Sequence, residues 1–247
     1  MAKAKILAWD IETTDLSASW GWVISAAWCD LNDPKRKISV LRIDDYKGYN
    51  QDRTNDKAIL IDLSNALAEA DIWFTWYGDR FDIPFTNTRL LVNGLNTLPT
   101  IPSVDGWKAA RNHLKLFSNR LANVAELFGA DRKTPVLGKQ WQLARAGHRE
   151  GIDYVVEHNI KDIKVLADIY DIIRPVIHNH PNVNLVEKPT NVKAANQQCP
   201  VCGSHRVHSR GYRVAKSRRS IRYQCQECGS WYQGPPERVT LKSKKKN

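Results

Sequence analysis

The sequence predicts a layered α/β or α+β domain followed by a small cysteine-bearing module, and three observations carry that expectation. Strand-like runs come first, with helical periodicity between and after them, the order a sheet covered by helices requires. Four of the five cysteines form two Cys-X-X-Cys pairs near the C-terminus. Positive charge is confined to the same end. Residues 1–189 hold 24 Lys/Arg and 24 Asp/Glu, whereas residues 190–247 hold 13 Lys/Arg against Glu227 and Glu237 alone.

Lys5–Asp10 reads as a short apolar strand ending in carboxylates. Trp22–Cys29 and Ile38–Ile43 are β-like runs separated by the turn residues Asn32-Asp33-Pro34. Between Asn55 and Ala70 the residues Ile59, Leu60, Leu63 and Leu67 recur at helical spacing, and Asp71–Trp76 is strand-like again. Pro84–Asn93 reads as a helix stopped by Gly94. After a loop marked by Pro99 and Pro102, Asn119–Phe128 and Gly138–Arg145 read as short helices. Tyr154–Ile173 reads as a long one ending before Pro175. Residues 181–198, with two prolines and four asparagines, read as a linker, and no internal repeat is evident. The expected organisation is therefore a layered domain over 1–180, a linker over 181–198, a cysteine module over 199–236 and a basic tail over 237–247.

At 247 residues the chain fits one domain of ordinary size plus a small module. A hydrophobic content of 42% and a charged content of 26% exclude wholesale disorder. No run approaches the eighteen apolar residues of a membrane span, so no membrane partner is expected. The opening MAKAKILAWDIE lacks the long apolar region of a signal peptide, so the expected location is cytoplasmic.

Asp10 and Glu12 in AWDIETTDL are two apart on an extended chain, so both side chains face the same side and can reach one cation. Asp82 follows a strand and opens a helix in WYGDRFDIP. Asp162 lies on the long helix in EHNIKDIKVL, one turn after His158 and on the same face. Hard cations such as Mg²⁺ or Mn²⁺ take oxygen ligands and share them with substrate phosphate. Two such ions can activate a water and stabilise the leaving oxygen in phosphodiester cleavage. Each motif has an ordinary alternative: a solvated Asp-X-Glu, an N-cap at Asp82, a polar stripe at His158 and Asp162. A carboxylate pair ending a strongly apolar strand is harder to assign to a solvated surface, and the four in this order weigh more than any one.

ILAWDIETTDL, FTWYGDRFDIPF and EHNIKDIKVLADIY together resemble the three exonuclease motifs of the DEDD superfamily, which has a ribonuclease H-like fold: a mixed sheet flanked by helices. The chain is similar in particular to 3′–5′ exonucleases predicted in phages and bacteria and related to the proofreading domain of family B DNA polymerases. Some of these carry a comparable tail, and the resemblance spans roughly residues 5–235. It implies that Asp10, Glu12, Asp82 and Asp162 hold two Mg²⁺ or Mn²⁺ ions, and that His158 orients or deprotonates the attacking water. His158 departs from the Tyr usual at this position, and Tyr77 from a frequent Asn. Asp105 falls where relatives carry an Asp and is expected either to be structural or to support the metal-binding carboxylates from behind. A phage or mobile-element origin, and the 3′–5′ polarity, rest on this resemblance alone.

Cys199, Cys202, Cys225 and Cys228, with 22 residues between the pairs, have zinc-ribbon spacing. The module has too little apolar sequence for a core, so a structural Zn²⁺ is expected to supply its folding energy. Trp231 is expected to help pack the knuckle, and His205 and His208 to lie on the surface. Between the pairs Arg206, Arg210, Arg213, Lys216, Arg218, Arg219 and Arg222 form a cationic loop, with Tyr212, Tyr223, Trp231 and Tyr232 interleaved or close by. Cations for phosphates beside flat rings for bases suit single-stranded or distorted nucleic acid. These residues leave DNA and RNA open, since nothing reads a 2′-hydroxyl, and DNA is favoured only through the resemblance. Solubilising arginines over a small aromatic core are the alternative. Among the tryptophans, Trp9, Trp73 and Trp76 read as core and Trp20 and Trp22 as candidate cleft residues; Cys29 reads as a buried thiol. The expected function is a metal-dependent 3′–5′ exonuclease tethered by a basic zinc ribbon. Its rivals are a structure-selective endonuclease on the same fold and a non-catalytic nucleic-acid-binding protein.

Overall fold

The computed structural model describes residues 4–130, 136–185, 198–215 and 218–238. Most of the expected linker (186–197), Lys216 and the tail beyond Arg238 lie outside the described residues. The chain divides into two compact units, residues 1–173 and 174–247.

The first unit is built on a five-stranded mixed sheet of order β3-β2-β1-β4-β5. Its strands are β1 (Ile6–Thr13), β2 (Val23–Asp30), β3 (Ser39–Arg42), β4 (Ile72–Thr75) and β5 (Ser103–Asp105). β1 runs antiparallel to β2 and parallel to β4, which is itself parallel to β5. The central β1 is apolar on both faces until its last residues, as a strand covered on both sides must be. Leu7, Trp9 and Ile11 meet α1 (Lys57–Ala68) and α2 (Asp82–Val92) through Ile59, Leu60, Leu63, Leu67, Phe85 and Leu90. Trp9 and Trp73 pack edge to face there, with centroids 5.8 Å apart. Each fully buried side chain of this size contributes roughly 1.5–3 kcal/mol.

The other face of the sheet carries α6 (Arg149–Ile173), against which α3 (Gly106–His113), α4 (Leu121–Phe128) and α5 (Gly138–Arg145) pack. Ile152, Val155 and Val156 of α6 meet Ile24 of β2 and Ala144 of α5. Gly151 lets α5 approach, since a Cβ there would lie 2.3 Å from the Ala144 nitrogen. A polar anchor ties the opposite layer together. Asp56 is fully buried, receives Arg89 through two 2.9 Å bonds and accepts from the Val23 amide and the Asn93 side chain.

Several element bounds differ from the sequence reading. β1 continues through Glu12 to Thr13, and α6 begins at Arg149, five residues before Tyr154. β5 and α3 lie in and just after the proline-marked stretch that reads as loop, because neither carries apolar periodicity long enough to recognise.

The second unit holds a small antiparallel sheet in which β7 (Arg218–Cys225) pairs with β6 (Val207–Val214), β8 (Trp231–Gln233) and β9 (Glu237–Arg238). Among the described residues a small buried cluster here is Cys199, Val201 and Cys225, with Cys202, Val207, Cys228 and Tyr232 around it. Residues 177–185 belong to this unit, and the Val183 amide donates to the Pro200 carbonyl at 2.8 Å.

Candidate active site and cysteine cluster

The strand alternation of β1 sends Trp9 and Ile11 into the α1/α2 layer and leaves Asp10 and Glu12 on the face that α6 covers. Pairing with β2 shifts register between Glu12 and Thr13, an irregularity of the kind that re-aims side chains beside functional sites. α6 answers with His158 and Asp162, which are 4% and 5% exposed and so do not form a solvated stripe. His158 Nε2 lies 3.7 Å from Glu12 Oε1 and 3.6 Å from Asp162 Oδ2. One ligand atom each from Glu12, His158 and Asp162 fall within 4.8 Å of one another, a spacing suited to a shared cation. Trp141 of α5 fixes the imidazole from the side, in an edge-to-face contact with centroids 5.1 Å apart.

Asp10 and Asp82 adjoin this tight group. The Asn159 side chain donates to Asp10 Oδ2 at 2.9 Å, and its own carbonyl accepts from Ser25 Oγ at 2.9 Å. A fully buried amide thus links β1, β2 and α6 through one carboxylate. The sequence reading missed Asn159, although it sits one turn before Asp162 on the same helix. Asp82, 3% exposed, accepts from the Ile11 amide at 3.2 Å, between the two β1 carboxylates. It is not the N-cap of α2. That position is Phe81, and Asp82 is the first helical residue, aimed at β1 rather than at its own helix.

Asp105 does cap a helix: one carboxylate oxygen accepts from the Trp107 and Lys108 amides of α3 and from the Tyr77 amide at 3.0 Å. Burial pushes its pKa above the usual carboxylate range, against the pull of those amides. Tyr77 adopts φ +70°, a left-handed conformation that Asn or Gly takes with less strain. The backbone here thus suits the Asn expected from the resemblance better than the Tyr present. Burial also pushes the Cys29 thiol up to about 12, as an inert core cysteine requires. Trp9 and Trp73 are buried, Trp76 and Trp22 are half-buried, and Trp20 is 75% exposed.

In the second unit the four cysteines converge. Cys199 and Cys228 have Sγ atoms 3.6 Å apart, as do Cys202 and Cys225. These distances are too long for disulfides and close to the edge of about 3.8 Å of a tetrahedron with metal–sulfur bonds near 2.3 Å. The two knuckles are built alike. The Cys199 carbonyl accepts from the Gly203 amide and its own amide donates to Ser204; Cys225 does the same with Gly229 and Ser230. The two glycines lie at φ +72° and +73°, the left-handed conformation that favours glycine. The repeat is legible as Cys-X-X-Cys-Gly-Ser, twice, and corrects the reading that the chain has none.

His205 and His208 are exposed, as expected. Trp231 is 47% exposed and lines a cavity beside Pro200 and Val201, while Tyr232, stacked on Tyr223 at 5.2 Å, packs against the buried cysteine cluster. Of the expected contact residues, Arg219 lies over the Tyr212 ring at 4.8 Å and also pairs with Glu237. Arg210 and Arg213 donate to the side-chain oxygens of Gln224 and Gln233, and Arg222 donates to the Arg210 carbonyl. Arg218 is exposed and Arg206 is neutralised by Glu227.

The RNase_H superfamily model matches residues 7–174, more than half of the chain, and the chain belongs to that superfamily. No curated protein matches it. Among solved structures it is similar to the family B DNA polymerase of the hyperthermophilic archaeon Pyrobaculum calidifontis. The TM-score is 0.54 and the identity 15%, over 72% of this chain and 26% of that one. The likeness is one of fold, and the chain corresponds to about a quarter of the polymerase's length. Among the described residues no helix is long and apolar enough to cross a membrane.

Proposed function

We propose that the protein is a metal-dependent 3′–5′ exonuclease acting on nucleic acid, DNA in preference to RNA, with a zinc ribbon that holds the strand. The observation that carries this reading is the convergence of Glu12, His158 and Asp162 on one point, with Asp10 and Asp82 fixed beside it. Bound there, Mg²⁺ or Mn²⁺ supplies an activated water and charge stabilisation for the leaving oxygen. Asp10, Glu12, Asp82 and Asp162 are the proposed ligands. Asn159 holds Asp10 in one rotamer, so the carboxylate is oriented before any cation arrives. His158, held by Trp141 between two carboxylates, positions the attacking water or takes its proton. The four thiolates suit a structural Zn²⁺, which has no preferred geometry of its own and takes this tetrahedral sulfur set readily. Arg210, Arg213, Arg218 and Arg222 would meet backbone phosphates, and Tyr212 and Trp231 would meet bases.

The polarity comes from the resemblance of the three motifs. The polymerase similarity supports the fold from which such an activity would arise. The test is digestion of 5′-labelled single-stranded DNA, 3′-recessed DNA and matched RNA with Mg²⁺, Mn²⁺ or no added ion, beside Asp10→Ala. A metal-dependent ladder shortening from the 3′ end and absent in the variant is expected. Discrete long fragments would favour an endonuclease, and a gel shift with uncut label under every ion would favour a binding protein.

A further inference from the structure

We propose that the first unit contains a second nucleic-acid site, distinct from the carboxylates, that takes one unstacked nucleotide of a single strand. It is the cavity of about 530 Å³ lined by Tyr77, Arg80, Trp107, Lys108, Arg111 and Asn112. That volume lies within the range of small-ligand sites and is large enough for a nucleotide. This inference rests on the reading that the chain acts on nucleic acid.

The lining combines cations with flat rings. Tyr77 and Trp107 meet edge to face with centroids 5.0 Å apart, and the Arg111 guanidinium stands 5.1 Å from the Trp107 centroid. Lys108 is held by Asp79 at 2.5 Å, but Arg80 and Arg111 make no ion pair among the described residues. Two cations without a carboxylate partner, beside two aromatic rings, provide for a phosphate and a base together.

The cavity is also preorganised, at a cost in the backbone. Tyr77 is 40% exposed yet is held at φ +70°, which a bulky residue adopts only when its surroundings impose it. What imposes it is Asp105. One buried carboxylate oxygen accepts from Tyr77 on one wall and from the first turn of α3 on the other. A core packing role does not explain a strained backbone that carries a ring left 40% exposed; a stacking platform does.

The position fits the same use. Trp76–Phe81 leaves the C-terminal end of β4, and α3 leaves the C-terminal end of β5, the side of parallel strands where ligands gather in α/β folds. Arg80 lies two residues before Asp82. A base seated here must leave its stack. The site therefore selects single strands over intact duplex.

The experiment uses the full-length, zinc-loaded Asp10→Ala protein without added Mg²⁺ or Mn²⁺, so that nothing is cut. A single-stranded oligonucleotide carrying 5-iodouracil is bound and irradiated, and the attachment points are mapped by peptide mass spectrometry. Attachment at Tyr77 or Trp107 is expected, alongside attachment in the ribbon. Adding Arg80→Ala and Arg111→Ala should lower the first yield several-fold and leave the ribbon yield unchanged. Adding Tyr77→Asn should remove attachment at position 77, reduce that at Trp107 and raise the melting temperature, so a loss of signal is not a loss of fold. Attachment confined to residues 199–238, or a Trp107 yield indifferent to the arginines, would overturn the proposal. So would equal labelling by free iodo-dUMP, which would make the cavity a mononucleotide site. Failure of the nuclease reading is a separate result: uncut DNA with wild-type protein and Mg²⁺.

Discussion

In the first unit the polar residues of interest lie inside, where Asp82, His158, Asn159 and Asp162 are buried between a sheet and a helix that apolar clusters already hold together. In the second unit the arginines lie outside on short strands, and the buried cluster is two cysteines and a valine. The first has apolar clusters on both faces of its sheet and groups three possible ligands between them. The second has a small buried cluster among the described residues, so a cation at its four cysteines would be part of the fold. On the proposed reading this difference teaches that one chain would use metals in opposite ways, as a guest at the carboxylates and as a foundation at the cysteines.

The largest test of the contrast is Cys225→Ser. Structural zinc contributes on the order of 10 kcal/mol or more to folding of small modules. Residues 199–238 should become protease-sensitive while the first unit keeps its melting transition. Loss of both units together, seen by calorimetry and limited proteolysis, would break the comparison.

Asp162→Asn should act the other way. Nuclease activity should fall by more than about 100-fold, since even residues that merely orient metal ligands cost 10–100-fold when removed. Stability should hold or rise, because one of several crowded carboxylates loses its charge. A melting temperature well below wild type would show that the acidic group is structural.

Asn159→Leu divides the two effects. It keeps the volume but removes the bonds to Asp10 and Ser25, so activity should fall about 10–100-fold. The stranded Ser25 hydroxyl should cost about 1–3 kcal/mol. Steady-state digestion beside denaturant unfolding reads both. The smallest effect is expected from Arg213→Ala with Arg222→Ala. Affinity for single strands should drop a few-fold, and each lost phosphate contact should reduce the salt slope by about 0.7. An unchanged slope would remove these side chains from the interface.

What the sequence disclosed follows the same division. Long apolar periodicity made β1, α1 and α6 readable, and the cysteine spacing made the knuckles readable, because each is a local pattern. Asp10, Glu12, Asp82 and Asp162 were legible only as a set of motifs, and their grouping depends on the pairing of β1 with β2 and its packing under α6. Asn159 was missed because one amide on a helix has no pattern; its meaning lies in Ser25 and Asp10, 134 and 149 residues away. The role of Asp105 likewise needs Tyr77, 28 residues distant. β5 is three residues long and α3 eight, too short for period to separate them from loop. The packing of Tyr232 on the cysteine cluster was not read from the sequence, because an aromatic next to Trp231 carries no signal that separates the two.

The most direct measurement is Mn²⁺ binding to the zinc-loaded protein, followed by electron paramagnetic resonance, in wild type and Asp162→Asn. Binding in the wild type, its loss in the variant and an unchanged zinc content in both are the predicted results. Equal Mn²⁺ binding in the two proteins, or none in either, would contradict the assignment of the carboxylates as a cation site.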